Sequence, residues 1–284
     1  MGNTYNFNFN YKFKNSNFLK LESHCWHIVD NSPWPLLTAL SLLFFLTGIY
    51  CSIHRIIGGN LLLLLGLILL LIIIVFWSKD CIRESYQGCH TEKVQKGFYL
   101  GFVLIITTEV MLFFGVIWSL LFGAIVPTPV FGLTWPPAGF GHGFFISALG
   151  IPLLNTTVLI SSGITITWAQ FAVLENDYTN SLIALISTIT LSCIFLISQW
   201  YEYSLAVFNI SDGYYGSIFF FLTGLHGSHV ILGTCLIFSN LVRLLNYQFN
   251  SQKHLGFIFT AWYWHFVDLV WLFLYFFIYL WGNC

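Results

Sequence analysis

Residues 61–77 read LLLLLGLILLLIIIVFW, seventeen positions without a polar side chain. Spanning the hydrocarbon core of a bilayer takes about 20 mostly apolar residues in a helix. Nothing in this run marks a solvent-facing side, so it reads as a membrane span lying in lipid or in a tight helix pair. Six more stretches of the same kind follow along the chain: 35–53, 98–125, 149–173, 182–201, 214–242 and 256–281. The spans 98–125 and 214–242 exceed the hydrocarbon thickness, which implies tilt.

Composition agrees. The 284 residues are 57% hydrophobic, 19% aromatic and only 7% charged. Soluble domains carry about 25% charged residues, and the mean hydropathy here is +0.80. The expected fold class is therefore an all-α integral membrane protein with seven transmembrane helices. Residues 1–31 form a polar tail and 32–284 the membrane domain, with no internal repeat. A net charge of −1 from ten Lys and Arg cannot build a phosphate-neutralising surface, so nucleic acid is not expected as a partner. The first eighteen residues lack the apolar core of a secretory signal. The seven cysteines form no CxxC pair, and the grouping of Cys81, Cys89 and His90 is a weak metal signal, so no metal is expected.

Charge sets the orientation. Lys12, Lys14, Lys20, Lys79, Arg83, Lys93, Lys96, Arg243 and Lys253 fall on the N-terminal side, and Arg55 alone on the other. Positive-inside bias places the N-terminus in the cytoplasm, or in the matrix of a mitochondrion. That is opposite to a G-protein-coupled receptor. A retinal protein needs a lysine in its last helix, and 256–281 has none.

Ionisable groups inside a membrane are functional candidates because each costs about 2.5–3.5 kcal/mol to insert. Five stand out: Glu109, His226, His229, His265 and Asp268. At 1.5 Å per residue, Glu109 and Asp268 lie roughly 17–18 Å deep. His226 and His229 share a helical face, as do His265 and Asp268. His265 bonded to Asp268 or an indole would lock helix packing, whereas His226 and His229 as ligands would imply a metal or haem. Three histidines within the spans are too few for a haem–copper core. Glu109 has no basic neighbour within a turn; it reads equally as a structural hydrogen-bonding acid, a proton-relay carboxylate or a lipid contact. The charged stretch 78–97, read as a loop, holds Arg83, Glu84 and His90. With Arg243 and His254 it gathers cations at one headgroup level, either as plain anchoring or as a site for lipid phosphates.

Longer motifs run through the chain: SPWP (32–35), IRESYQGCHTEKVQKG (82–97), EVMLFFGVIW (109–118) and PTPVFGLTWPPAG (127–139). They continue with PLLNTTVLISSGITITWA (152–169), ISDGYYGSIFFFLTGLHGSHVILG (210–233) and AWYWHFVDLVWLFLYFFIYLWG (261–282). In this order they resemble subunit III of cytochrome c oxidase, in its mitochondrial form, over residues 24–284. The resemblance implies a two-helix and a five-helix bundle enclosing a phospholipid-holding cleft. It implies a chain with no catalytic residue and no cofactor of its own, docked on catalytic subunit I beside subunit II and accessory subunits, which hold the haem a and copper. By position, Arg83, Glu84, His90, Arg243 and Trp77 match lipid-contacting or cleft-lining residues, and Glu109 matches an acidic residue near the cleft. The implied role is to support proton uptake and protect the catalytic subunit, in the mitochondrial inner membrane with the C-terminus in the intermembrane space. Gln170 and Phe171 stand where the family usually has two histidines, so no role of those histidines carries over. The third subunit of a quinol oxidase is the near alternative, and a stand-alone proton or ion transporter using Glu109 and Asp268 the distant one. Glycan on the Asn209 sequon would exclude the mitochondrial reading.

Overall fold

A computed structural model describes residues 26–127, 129, 132–135, 146–251 and 254–282. His24, His142, Lys253 and most of the polar tail lie outside the described residues. Seven helices follow in order: α1 Trp34–Ile53, α2 Gly59–Tyr86, α3 Glu92–Ile125, α4 Ile151–Leu174, α5 Tyr178–Leu205, α6 Gly213–Leu245 and α7 Leu255–Leu274. The last continues into a π-helical segment, Tyr275–Trp281. Each of the seven is long and apolar enough to cross a membrane, and no strand occurs among the described residues.

Local chemistry explains the boundaries. Pro35 and Pro152 sit in the first turns of α1 and α4, where proline has the right φ and its missing N–H costs nothing. Asp177 caps α5 by accepting from the Asn180 amide at 3.1 Å, and Gly58, with φ +88°, turns the chain into α2. One expectation needs correcting. The charged stretch 78–97 is mostly helix: α2 runs on through Arg83 and Glu84 to Tyr86, and α3 already begins at Glu92. A hydropathy window ends where charges begin, but a helix emerging from lipid keeps its hydrogen bonds. The true break is the turn after Tyr86, which uses Gly88 at φ +82°.

The chain divides after Tyr99 into two compact units, so α3 starts in the first and continues through the second. In the first unit α1 and α2 pair closely. The described buried positions of this pair are Ser41, Gly48, Gly59, Gly66 and Ile73. A Cβ on Gly48 or Gly66 would overlap the backbone of Leu63 or Phe45, and one on Gly59 would sit 2.6 Å from the Cys51 carbonyl carbon. Lipid tails are as apolar as leucine, so helices in a membrane associate through close backbone packing of this kind. Residues 61–77 thus lie against a partner helix as well as lipid. Trp34 Nε1 donates to Asp80 Oδ2 at 2.6 Å at one end of the pair, and Ser52 Oγ to Asn60 Oδ1 at 2.6 Å at the other.

In the second unit α4, α5, α6 and α7 each pack on the next, and α7 closes back on α4. Between α4 and α5 Thr165 Oγ1 and Thr188 Oγ1 meet at 2.8 Å, and both helices bury small residues, Ser162, Gly163, Ala169 and Ala172 on α4 and Ser181, Ala184, Thr188 and Ser192 on α5. Large rings fill the centre, with Phe195, Phe219, Trp264, Trp271 and Tyr279 buried. Both buried indoles are satisfied from α4, Trp264 Nε1 by Ser162 Oγ at 2.9 Å and Trp271 Nε1 by Thr156 Oγ1 at 3.0 Å. α3 leans on α6 and α7 through side chains: Tyr214 donates to the Ser119 carbonyl, and Phe113 meets the rings of His229 and Phe266.

Candidate functional site: ionisable groups at membrane depth

Glu109 has a partner that its own helix does not supply. His229 of α6 places Nε2 2.9 Å from Glu109 Oε2, while its Nδ1 lies 2.8 Å from the Leu225 carbonyl. A carbonyl only accepts, so Nδ1 carries the hydrogen and donates to Leu225. The Nε2–Oε2 contact then holds one proton, either on the carboxyl or on an imidazolium. Phe113 packs edge-on against the imidazole, and Tyr263 stacks with it. The arrangement positions a proton between two helices.

His226 is buried and turned to α7, with Nε2 3.2 Å from the Val267 carbonyl and rings of Phe195 and Trp271 around it. It shares no hydrogen-bond partner with His229. Among the described residues no three His, Cys, Asp or Glu side chains gather as a metal-holding group.

His265 and Asp268 share a face of α7, as expected, but no hydrogen bond joins them. His265 Nε2 lies 3.2 Å from Thr167 Oγ1 of α4. The Asp268 carboxyl rests against Gly163, where a Cβ would sit 2.6 Å from Oδ2, and its Oδ1 is enclosed without a partner.

The residues expected at headgroup level belong to different units. In the first, His27 Nε2 is 3.4 Å from Glu84 Oε2, and the His90 ring packs edge-on to Phe98. Burial holds the His90 imidazole below the usual histidine range, with Glu84 pulling the other way. Arg83 lies in the last turn of α2, and Trp77 is exposed on the same helix. In the second unit Arg243 stacks over Phe249 at 4.5 Å and reaches Gln248 Oε1 at 3.4 Å.

A polar cluster that the sequence did not single out lies near the end of α5. Glu202 is 1% exposed. Its Oε1 accepts from Tyr279 at 2.5 Å and from Gln199 at 3.5 Å, and Gln199 Oε1 accepts from Asn155 at 3.4 Å. Glu202 Oε2 and Asn155 Oδ1 are enclosed with no donor. The expected span ended at residue 201, one short of the carboxyl. The usable signal was the i,i+3 spacing of Gln199 and Glu202 on a helix facing Asn155.

These features define an integral membrane protein of seven helices in which Glu109, His226, His229 and His265 are engaged by backbone carbonyls, a hydroxyl and one another. The family model for cytochrome c oxidase subunit III matches residues 24–283. Cytochrome c oxidase subunit 3 of Mammuthus primigenius is 45% identical over 263 residues, 92% of this chain and 99% of that protein. Those of Pongo abelii and Bos taurus are 46% and 45% identical over the same shares. The chain belongs to the cytochrome c oxidase subunit III family.

Proposed function

We propose that this chain is a non-catalytic, membrane-embedded subunit of a proton-pumping cytochrome c oxidase in the mitochondrial inner membrane. Its N-terminus faces the matrix, the side carrying the basic residues, and its C-terminus the intermembrane space. Its partners are catalytic subunit I, subunit II and accessory subunits. Electrons pass from cytochrome c to oxygen through haem a and copper in those partners.

The similarity that runs through nearly the whole of this chain and its relatives carries the reading. The site geometry supports it. His226 is committed to Val267 and His229 to Glu109 and Leu225, so both serve helix packing. Arg83 in the last turn of α2 and Arg243 in the last turn of α6 are each placed to meet lipid phosphates as cations at headgroup level, and with Glu84, His90 and Trp77 they are the phospholipid-contacting residues that the family resemblance implies. Glu109 with His229 is the proton-linked pair, held in a surrounding that supports proton uptake by the neighbouring subunit. His226 is a buried polar group of the packing, while Asp268 is half-buried and His265 exposed on α7. Residues 1–31 are the tail and 32–284 the membrane domain.

Selective removal of this chain from the purified oxidase tests the role. The haem a absorbance and the initial rate of cytochrome c oxidation should persist, while protons pumped per electron and the number of turnovers before inactivation fall. Loss of the haem spectrum together with the chain would contradict a non-catalytic role.

A further inference from the structure

The turn that joins α1 to α2 carries a cation with no acid near it in its own hairpin. From 31 to 78 the chain holds no Asp or Glu, and Arg55 is its only Lys or Arg. Asp30 lies before α1 and Asp80 near the far end of α2, each roughly 30 Å away along a helix. Asp80 is also engaged there by the Trp34 indole. Arg55 is exposed, at the point where the hairpin leaves the hydrocarbon and lipid phosphates begin.

Arg55 lines a cavity of about 500 Å³ together with Ser52, Asn60 and residues 56–59. Ser52 Oγ spends its hydrogen on Asn60 Oδ1 at 2.6 Å, which leaves the Asn60 Nδ2 hydrogens to donate elsewhere. A second cavity of about 300 Å³ shares Ile57, Gly58, Gly59 and Leu61 with the first and runs on along Leu62 and Leu65. No charged residue lines it. The joined space is cationic at the mouth and apolar below. A guanidinium grips phosphate oxygens through paired N–H bonds, and leucines complement an acyl chain. A free phosphate ion would match the mouth alone; a phospholipid matches both parts.

We propose that the α1–α2 turn binds a phospholipid of the leaflet opposite Arg83, its phosphate on the Arg55 guanidinium and an acyl chain in the groove along Leu61 and Leu65. The site lies at the other end of α2 from the lipid contacts described above. It stands on the hairpin alone and does not depend on the chain's place in an oxidase.

The test is photocrosslinking in native membranes that hold the full chain, read by peptide mass spectrometry. One probe is phosphatidic acid with a diazirine next to the glycerol end of an acyl chain. The other is diacylglycerol with the same diazirine, so the two differ by the phosphate alone. The readout is labelling of Leu61 and Leu65 relative to Ile72, an exposed α2 position deeper in the membrane. That ratio should be about fivefold higher for phosphatidic acid than for diacylglycerol, the factor expected of one basic residue at a headgroup. Arg55→Gln should bring the two probes together, and Arg55→Lys, which keeps the charge, should hold them apart. Equal ratios in the wild-type chain would overturn the proposal, as would a wild-type difference that survives in Arg55→Gln. If Arg55→Gln fails to accumulate, the comparison of the two probes on the wild-type chain decides. Excess inorganic phosphate should leave the ratio unchanged; its collapse would make free phosphate the occupant and overturn the lipid assignment.

Discussion

Glu109 and His229 stand 120 positions apart in the chain and 2.9 Å apart in space. Replacing Glu109 by Gln keeps a hydrogen-bonding head at that point, and the amide can donate to Nε2. Replacing it by Leu leaves Nε2 without a partner. Hydrogen bonds between membrane helices are worth about 1–2 kcal/mol at most, so Glu109→Leu should lower the melting temperature of the complex while Glu109→Gln changes it little. Both should retain full haem, as neither residue is placed at a redox centre; haem loss in Glu109→Gln would contradict the assignment. Glu202 gives a second prediction. Glu202→Leu strands the Tyr279 hydroxyl and the Gln199 amide inside the protein, and should cost about 1–3 kcal/mol, read as a loss of thermal stability. His90 adds a pH dependence. Its imidazole is held below the usual histidine value by burial, so the folded state favours the neutral ring. The stability this brings is present above the unfolded pKa, about 6.5, and is lost as pH falls through that value towards the folded one. On lowering the pH through that range, the α2–α3 turn should lose protection from hydrogen exchange, once intrinsic exchange is corrected for. His90→Gln should not show the change; an identical pH response in the variant would remove His90 as its source.

At the scale of elements, the α1–α2 pair depends on glycine. Gly66→Leu would drive a side chain into the α1 backbone at Phe45, and overpacking of this kind costs about 1–3 kcal/mol. Gly101→Ala on α3 meets nothing within 4 Å and should be neutral or slightly stabilising. Thermal unfolding of the two variants should separate them clearly, and equal behaviour would mean that glycine packing does not hold the pair. The same helices show what the sequence made legible. All seven spans could be located because spanning a bilayer is a property of a local run of side chains. Their ends were less legible: the turns of α2 beyond Trp77 carry Lys79, Asp80, Arg83 and Glu84 and look like loop to any hydropathy reading. Gly59 and Gly66 were visible as residues, but their role depends on what α1 brings against them. Partnerships were the least legible. His229 for Glu109, Thr167 for His265 and Ser162 for Trp264 all lie on other helices, fixed by packing that no local pattern encodes. Glu202 went unnoticed because a boundary set by hydropathy fell just short of it.

For the molecule as a whole, the apolar surface and the membership of an oxidase subunit family agree. Exposed leucines, isoleucines and phenylalanines run along α1, α2 and α3, which suits a lipid environment. Arg83→Ala combined with Arg243→Ala should reduce the phospholipid that co-purifies with the complex, and unchanged lipid content would contradict the headgroup assignment. The most direct test of the central claim is native electrophoresis of mildly solubilised membranes, with in-gel cytochrome c oxidation and peptide mass spectrometry of the active band. The account predicts this chain in the active band together with haem a absorbance and the peptides of a larger catalytic subunit. Finding the chain only in bands free of haem and of oxidase activity would contradict it.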